Sequence, residues 1–292
     1  MGASDSISSK RTSVEIKKAI ITAAGANQRT LPLQTLVDRD GTTKTALAII
    51  IEEALQAGIE EIALIIQPGD ESPFRAAAGR HAGRLQFIEQ GQRLGYGHAI
   101  WCAREFVAGK AALLMVGDHV YLSRTAKGCA QQLVDIASAE NCIVSAVQPT
   151  HESKLPYYGA IGGRLVTGRQ HLYEVDAVLE KPTPTEAEQR VIVPGLRSGH
   201  YLCFFGMHVL TPGVFNMLDE LVGLYGNKGG VHLTPALAKS IRSERYLALE
   251  IDGRRYDIGL KYGLLTAQLA LALSGGDRDE VLTGMVDLLA NR

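Results

Sequence analysis

Several groups of residues in this chain have the types and spacing for phosphate and sugar chemistry. The apolar run Ala19-Ile20-Ile21 empties into Ala23-Ala24-Gly25-Ala26 and a polar stretch ending in Arg29. A strand that opens into a small-residue loop offers backbone N–H groups to phosphate oxygens. Arg29 adds a planar fork suited to bidentate phosphate contact. Gln90-Gly91-Gln92-Arg93-Leu94-Gly95-Tyr96-Gly97-His98-Ala99 is a glycine-rich loop that opens a helix. Its glycines let a planar ligand approach the backbone, and the Gln90 amide has the acceptor and donors to read a pyrimidine edge. An ordinary turn before a helix uses the same residue types.

Three carboxylates extend the pattern. Asp118 follows the apolar run Ala111–Val116, where a carboxylate suits a hard cation such as Mg²⁺; a turn or N-cap aspartate is the plainer reading. Asp257, in Tyr256-Asp257-Ile258-Gly259-Leu260-Lys261, is a second acid available to the same cation, or the N-cap of the helix after it. Glu180-Lys181-Pro182 pairs an acid for sugar hydroxyls with an ammonium for a phosphate on a stiffened turn. A solvated charge pair is the alternative there. His119, beside Asp118, reads as a partly exposed structural histidine.

The elements that must position these groups alternate. Strand patterns at Ala19–Thr22, Glu61–Gln67, Gln86–Glu89, Ala111–Val116 and Asn141–Val147 are separated by helical patterns at Thr45–Gln56, His98–Phe106 and Arg124–Ala139. That order predicts a mostly parallel sheet covered on both faces, with ligands beyond the carboxyl ends of the strands. The second half has shorter strands at Gly159–Val166, His171–Glu180 and Tyr201–Val209, with an extended break at Lys181-Pro182-Thr183-Pro184. Helices are expected around Phe215–Val222 and Thr234–Arg242, flanking a glycine-rich loop at Gly226–Gly230. Two amphipathic patterns end the chain, at Tyr262–Leu273 and Glu280–Leu289.

Composition bounds the function classes. With 292 residues and 46% hydrophobic content the chain can bury a large core. A formal net charge of −1 gives no bulk attraction to nucleic acid or to a membrane. Cys102, Cys129, Cys142 and Cys203 contain no C-x-x-C pair, which favours reduced thiols in the cytoplasm. Residues 1–15 read as a disordered polar tail without the apolar core of a signal peptide. No apolar run is long enough to span a membrane.

Taken in order, Ala24-Gly25, Arg29, Leu31-Pro32, Gln90-Gly91, Gly95-Tyr96-Gly97-His98-Ala99, Gly117-Asp118, Tyr158-Gly159, Glu180-Lys181-Pro182, Leu233-Thr234 and Tyr256-Asp257-Ile258-Gly259 resemble one family. It is that of the bacterial UTP–glucose-1-phosphate uridylyltransferases, among the sugar-1-phosphate nucleotidyltransferases. The likeness runs from about Ile16 to Leu273. It implies a Rossmann-like α/β nucleotidyltransferase domain over 16–273, with a nucleotide-binding half (16–150), a sugar-phosphate-binding half (151–261) and a C-terminal helical element (262–292) suited to a dimer or tetramer. It also implies transfer of a uridylyl group from UTP to glucose 1-phosphate with Mg²⁺. Ala24, Gly25 and Arg29 would hold the triphosphate, Gln90 would read uracil, and Gly95 would lie close to the base. Asp118 and Asp257 would hold Mg²⁺, Gly159 and Glu180 would contact glucose, and Lys181 would contact its phosphate.

Departures from the family pattern are specific. The usual G-x-G-T-R loop is Gly25-Ala26-Asn27-Gln28-Arg29 here, and the Pro-Lys pair expected after Leu31-Pro32 is missing. Gly229-Gly230-Val231-His232-Leu233-Thr234 lacks the acid that usually precedes this motif. Arg39 and Lys44 are the candidates to replace the missing lysine. The alternatives to uridylyl transfer are a catalytically weakened nucleotide-sugar-binding paralogue and thymidylyl transfer to a hexose 1-phosphate.

Overall fold

A computed structural model describes residues 14–25, 29–225 and 228–291. The expected polar tail therefore lies almost wholly outside the described residues, as do Ala26–Gln28 of the phosphate loop and the start of the Gly226–Gly230 loop. The strands are β1 (Lys18–Thr22), β2 (Thr35–Val37), β3 (Thr43–Thr45), β4 (Glu61–Ile66), β5 (Leu85–Glu89), β6 (Ala112–Val116), β7 (His119–Ser123), β8 (Ile143–His151), β9 (Ala160–Leu165), β10 (Leu172–Leu179), β11 (His200–Leu210), β12 (Tyr246–Glu250) and β13 (Gly253–Asp257). The helices are α1 (Ala46–Gln56), α2 (Glu71–Ala78), α3 (Tyr96–Trp101), α4 (Arg104–Val107), α5 (Cys129–Glu140), α6 (Pro184–Arg190), α7 (Pro212–Tyr225), α8 (Leu233–Ser240), α9 (Gly263–Leu273) and α10 (Arg278–Ala290).

Nine strands form one sheet in the order β5-β4-β1-β6-β11-β8-β12-β10-β9. Seven strands run one way, and β10 and β11 oppose them, as their antiparallel ladders require.

 The sheet is thus mixed in its ladders and mostly parallel in direction, as the alternating pattern predicts.

Successive residues of a strand face opposite sides of the sheet. Ala19 and Ile21 enter one core with Leu47, Ile50 and Ile51 of α1 and Leu133 of α5, while Ile20 enters the other with Ile100, Leu218 and Leu237 of α3, α7 and α8. A third, smaller core joins Leu36, Ala46, Ile49, Val120, Leu122, Ile258, Ala267 and Leu271. It seats the β7–β13 ladder and α9 against α1. The carboxyl ends of β1, β4, β5 and β6 lead directly to Ala23, Gln67, Gln90 and Gly117.

Three local readings change. The helix expected from Arg124 begins only at Cys129, because Ser123 Oγ donates to the Lys127 carbonyl (2.5 Å) and the Thr125 N–H donates to Ser123 Oγ (3.1 Å), closing a turn first. The buried Glu53 carboxylate then accepts from the Ala130 N–H at 2.8 Å, satisfying one donor of the helix start. The break at Lys181–Pro184 leads into α6, whose Thr183 and Glu186 form a capping box with Pro184 in the first turn. The pattern over His98–Phe106 divides into α3 and α4, with α3 starting at Tyr96.

Thr45 caps α1 by accepting from the Ala48 N–H (3.0 Å), and its hydroxyl donates to the Ala77 carbonyl (2.7 Å). Thr45→Ala should lower stability by about 1–2 kcal/mol, read as a shift in the urea midpoint at unchanged slope. An unshifted midpoint would remove this cap from the account of α1.

Candidate active site

Two cavities lie beyond the carboxyl ends of the parallel strands. The first, about 340 Å³, is lined by Ala24, Gly25, Gln90, Arg93, Gly95 and Asp118 among others. Its floor depends on backbone approach: the Gly117 N–H donates to the Thr22 carbonyl (2.9 Å), and a Cβ at Gly117 would lie 2.7 Å from that oxygen. The Ala24 carbonyl accepts from the buried Gln67 amide, whose oxygen accepts from Arg93 Nε at 2.9 Å. Arg29 is not among the residues that line this cavity; its guanidinium nitrogen lies 3.6 Å from an Asp70 oxygen.

Gln90 is buried, and its amide nitrogen donates to the Gly95 carbonyl (3.1 Å) and faces His98 Nδ1 at 3.2 Å. A carbonyl only accepts, so the nitrogen must face Gly95 and the Gln90 oxygen keeps its acceptor capacity. Gly95 has φ +121°, and a Cβ there would come within 2.3 Å of the Val231 carbonyl oxygen. The Gly97 N–H donates to Val231 O, and the Val231 N–H to Leu94 O, so this loop is fastened to the approach to α8.

The second cavity, about 530 Å³, is lined by Gly159, Glu180, Lys181, Phe204, His208, Thr234 and Asp257, and shares Tyr96, Val116 and Asp118 with the first. Thr234 Oγ1 donates to the Glu180 carboxylate at 2.6 Å, which aims that acid. A Cβ at Gly159 would lie 2.7 Å from the Phe204 ring and 3.2 Å from the Glu180 carboxylate. Lys181 adopts a left-handed backbone (φ 45°) immediately before Pro182, a conformation that the surrounding fold must enforce. His208 sits deeper: its Nδ1 meets Ser145 Oγ at 2.6 Å, and Ser145 Oγ meets the Tyr246 hydroxyl at 2.6 Å. Burial holds the His208 imidazole down to about 3, so it is neutral.

The β7–β13 ladder places Asp257 opposite His119. Asp118, His119 and Asp257 each present a ligand atom, all within 4.8 Å of one another. His119 is buried, and its Nδ1 lies 2.7 Å from Asp118 Oδ1, so it is a partner of that carboxylate and not the partly exposed histidine expected from sequence. Asp257 accepts from the Gly259 N–H at 2.9 Å. Burial raises the Asp257 pKa, and the Asp118 charge adds to that while His119 opposes it. Two converging carboxylates are the oxygen donor set that a hard divalent cation takes.

Neither candidate for the missing lysine lines the first cavity. Lys44 Nζ is held by Asp38 (2.6 Å), Asp40 (2.9 Å) and Glu52 (2.9 Å). Burial disfavours its charge, but the three acids outweigh that and raise its pKa. Arg39 lines a separate pocket with Asp38, Lys44 and Ser274.

A nucleotidyl transferase family profile matches residues 18–272. The chain belongs to the nucleotidyl transferase family. Relatives of this nucleotidyltransferase include a UTP–glucose-1-phosphate uridylyltransferase of Bacillus subtilis (strain 168), 29% identical over 94% of this chain and 98% of the relative. Another, from Streptococcus pyogenes serotype M3, is 30% identical over 89% of this chain and 90% of the relative. Among solved structures, a UDP-glucose pyrophosphorylase with UDP-glucose bound aligns at TM-score 0.71 and 23% identity, covering 88% of this chain and 98% of the other. One from Acinetobacter baumannii aligns at TM-score 0.72 and 20% identity, covering 94% and 100%. Those structural likenesses establish the fold. Among the described residues, no helix is long and apolar enough to cross a membrane.

Sequence reasoning missed Gln67, Tyr96 and His208 as site residues. Tyr96 was visible only as part of a glycine-rich loop, and His208 only as one polar residue in an apolar strand. His208 also sets a pH dependence. The unfolded chain takes up a proton near the ordinary value of 6.5, whereas the folded chain resists until about 3. Stability from this group is complete above the higher value and is lost as pH falls toward the lower. The melting temperature should therefore fall more steeply between about pH 7 and pH 4 in the wild type than in His208→Gln. Equal slopes would contradict a buried neutral His208.

Proposed function

We propose that this nucleotidyltransferase forms UDP-glucose and pyrophosphate from UTP and glucose 1-phosphate. The observation that carries the reading is the common wall of the two cavities at Tyr96, Val116 and Asp118. A nucleotide in the first cavity and a sugar phosphate in the second have their phosphates converge beside Asp118 and Asp257. The names of the relatives support this pair of substrates.

The chain's own groups divide the work. The free Gln90 oxygen accepts from the imide N–H of uracil, a donor that cytosine lacks. Ala24 and Gly25 border the triphosphate, with Arg29 at the loop's end, and Gly95 lets the base approach the backbone. Gly159 leaves room for the sugar, Glu180 accepts from its hydroxyls, and Lys181 pairs with its phosphate. The phosphate oxygen of glucose 1-phosphate attacks the α-phosphorus in line, the bond to the β-phosphate bridge breaks, and pyrophosphate leaves without a covalent enzyme intermediate. Asp118 and Asp257 would hold Mg²⁺, which when bound supplies neutralisation of phosphate charge.

Domain organisation follows the same division, with a nucleotide half (16–150), a sugar half (151–261) and the C-terminal helices (262–292). Leu265, Val286, Leu288 and Leu289 are exposed on those helices, which supports a homo-oligomer, a dimer or tetramer.

Purified protein given UTP, glucose 1-phosphate and Mg²⁺ should release pyrophosphate, and EDTA should stop it. Asp118→Ala and Asp257→Ala should each lower kcat/KM by about 10²-fold or more. No pyrophosphate from any pairing of nucleoside triphosphate and sugar 1-phosphate would sink the enzymatic reading. Tight UDP-glucose binding without turnover would favour the weakened paralogue, and a preference for TTP would favour thymidylyl transfer. Glu180→Ala should raise KM for glucose 1-phosphate while leaving that for UTP within about twofold. Equal changes in both would remove Glu180 from the sugar site.

A further inference from the structure

The departing pyrophosphate carries concentrated negative charge, and the family's lysine for that region is missing from this chain. Among the described residues that line the first cavity, Arg93 is the one cation. The three undescribed loop residues are Ala26, Asn27 and Gln28, none of which is cationic. Lys44 is committed to three carboxylates, and Arg29 lies against Asp70.

Arg93 is held in a way that leaves its charge usable. Its Nε donates to the Gln67 oxygen at 2.9 Å, and the Gln67 amide donates to the Ala24 carbonyl. That chain ties the guanidinium to the phosphate loop through one nitrogen. The two terminal nitrogens have no ion pair among the described residues, and the side chain is exposed. A guanidinium fixed at Nε presents its terminal N–H groups as a planar fork, the geometry that matches two phosphate oxygens.

We propose that Arg93 is a catalytic cation that contacts the β- and γ-phosphates of the nucleoside triphosphate and stabilises the leaving pyrophosphate. Gln67 is its positioning residue. The inference rests on the proposed nucleotidyl transfer for its chemistry, but binding of pyrophosphate tests it independently of turnover.

Calorimetry on the wild type, Arg93→Ala and Arg93→Lys would compare UTP, UMP, UDP-glucose and inorganic pyrophosphate. Arg93→Ala should weaken UTP and pyrophosphate at least tenfold while leaving UMP and UDP-glucose within about twofold, since those two lack the departing phosphates. Arg93→Lys should fall between, because it keeps the charge and loses the fork. Gln67→Ala should weaken UTP and pyrophosphate in the same pattern by a smaller factor, and should add no further loss to Arg93→Ala. Equal losses for UTP and UMP would assign Arg93 to the base or loop shape and overturn the proposal. So would unchanged UTP and pyrophosphate affinity. A wild type that binds pyrophosphate but turns over no sugar phosphate would overturn the proposed function alone.

Discussion

The convergence of Asp118 and Asp257 is the constraint on which the rest of the site depends. Two acids whose ligand atoms share a space 4.8 Å across repel each other, and burial of Asp257 makes that repulsion more costly. The fold holds them there through the β7–β13 ladder, the Ile258 N–H donating to the Asp118 carbonyl (2.9 Å), and the small core that anchors β7 and α9. Gly263 belongs to the same constraint, since a Cβ at that position would lie 2.0 Å from the Asp257 carbonyl oxygen. Stability is thereby given up locally to hold the two carboxylates together.

Close backbone approaches set the remaining geometry. Gly95 and Gly97 pack against Val231 and His232, so the Gln90–Ala99 loop is fastened to the entrance to α8. Thr234, in the first turn of α8, then reaches Glu180. One chain of contacts thus links the first cavity to the second without passing through Asp118 or Asp257. Gly159 performs a similar service in the second cavity by leaving room for Phe204 and the Glu180 carboxylate.

The departure from the G-x-G-T-R pattern has a structural context. With fewer glycines around Gly25, the loop is joined to its neighbours by side chains, through Gln67 and Arg93. Lys44, a candidate in sequence to replace the missing lysine, instead organises an ion-pair cluster that ties the β2–β3 hairpin to α1. A charge in the right stretch of sequence is not a charge in the right place.

Much was legible before the structure. The alternation of apolar strands and helices determined a mostly parallel α/β sheet, because period-2 and period-3.6 patterns are local and survive without tertiary information. The acids at 118, 180 and 257, Gly95 and Gln90 stood out as candidates because their chemistry is stated by residue type, and Gly159 through the family resemblance. The tertiary structure alone decided which of them meet. The β7–β13 pairing joins short segments from opposite halves of the chain, with no local signal to announce it. Whether a cation lines a cavity or is held by neighbouring acids depends on those neighbours, and this separated Arg93 from Arg29 and Lys44. His208 became a neutral group only because the packing of β11 against its neighbours buries it, with Ser145 of β8 at its Nδ1. Sequence determined the inventory of chemical groups; long-range packing decided their partners, and with them their charge and reach.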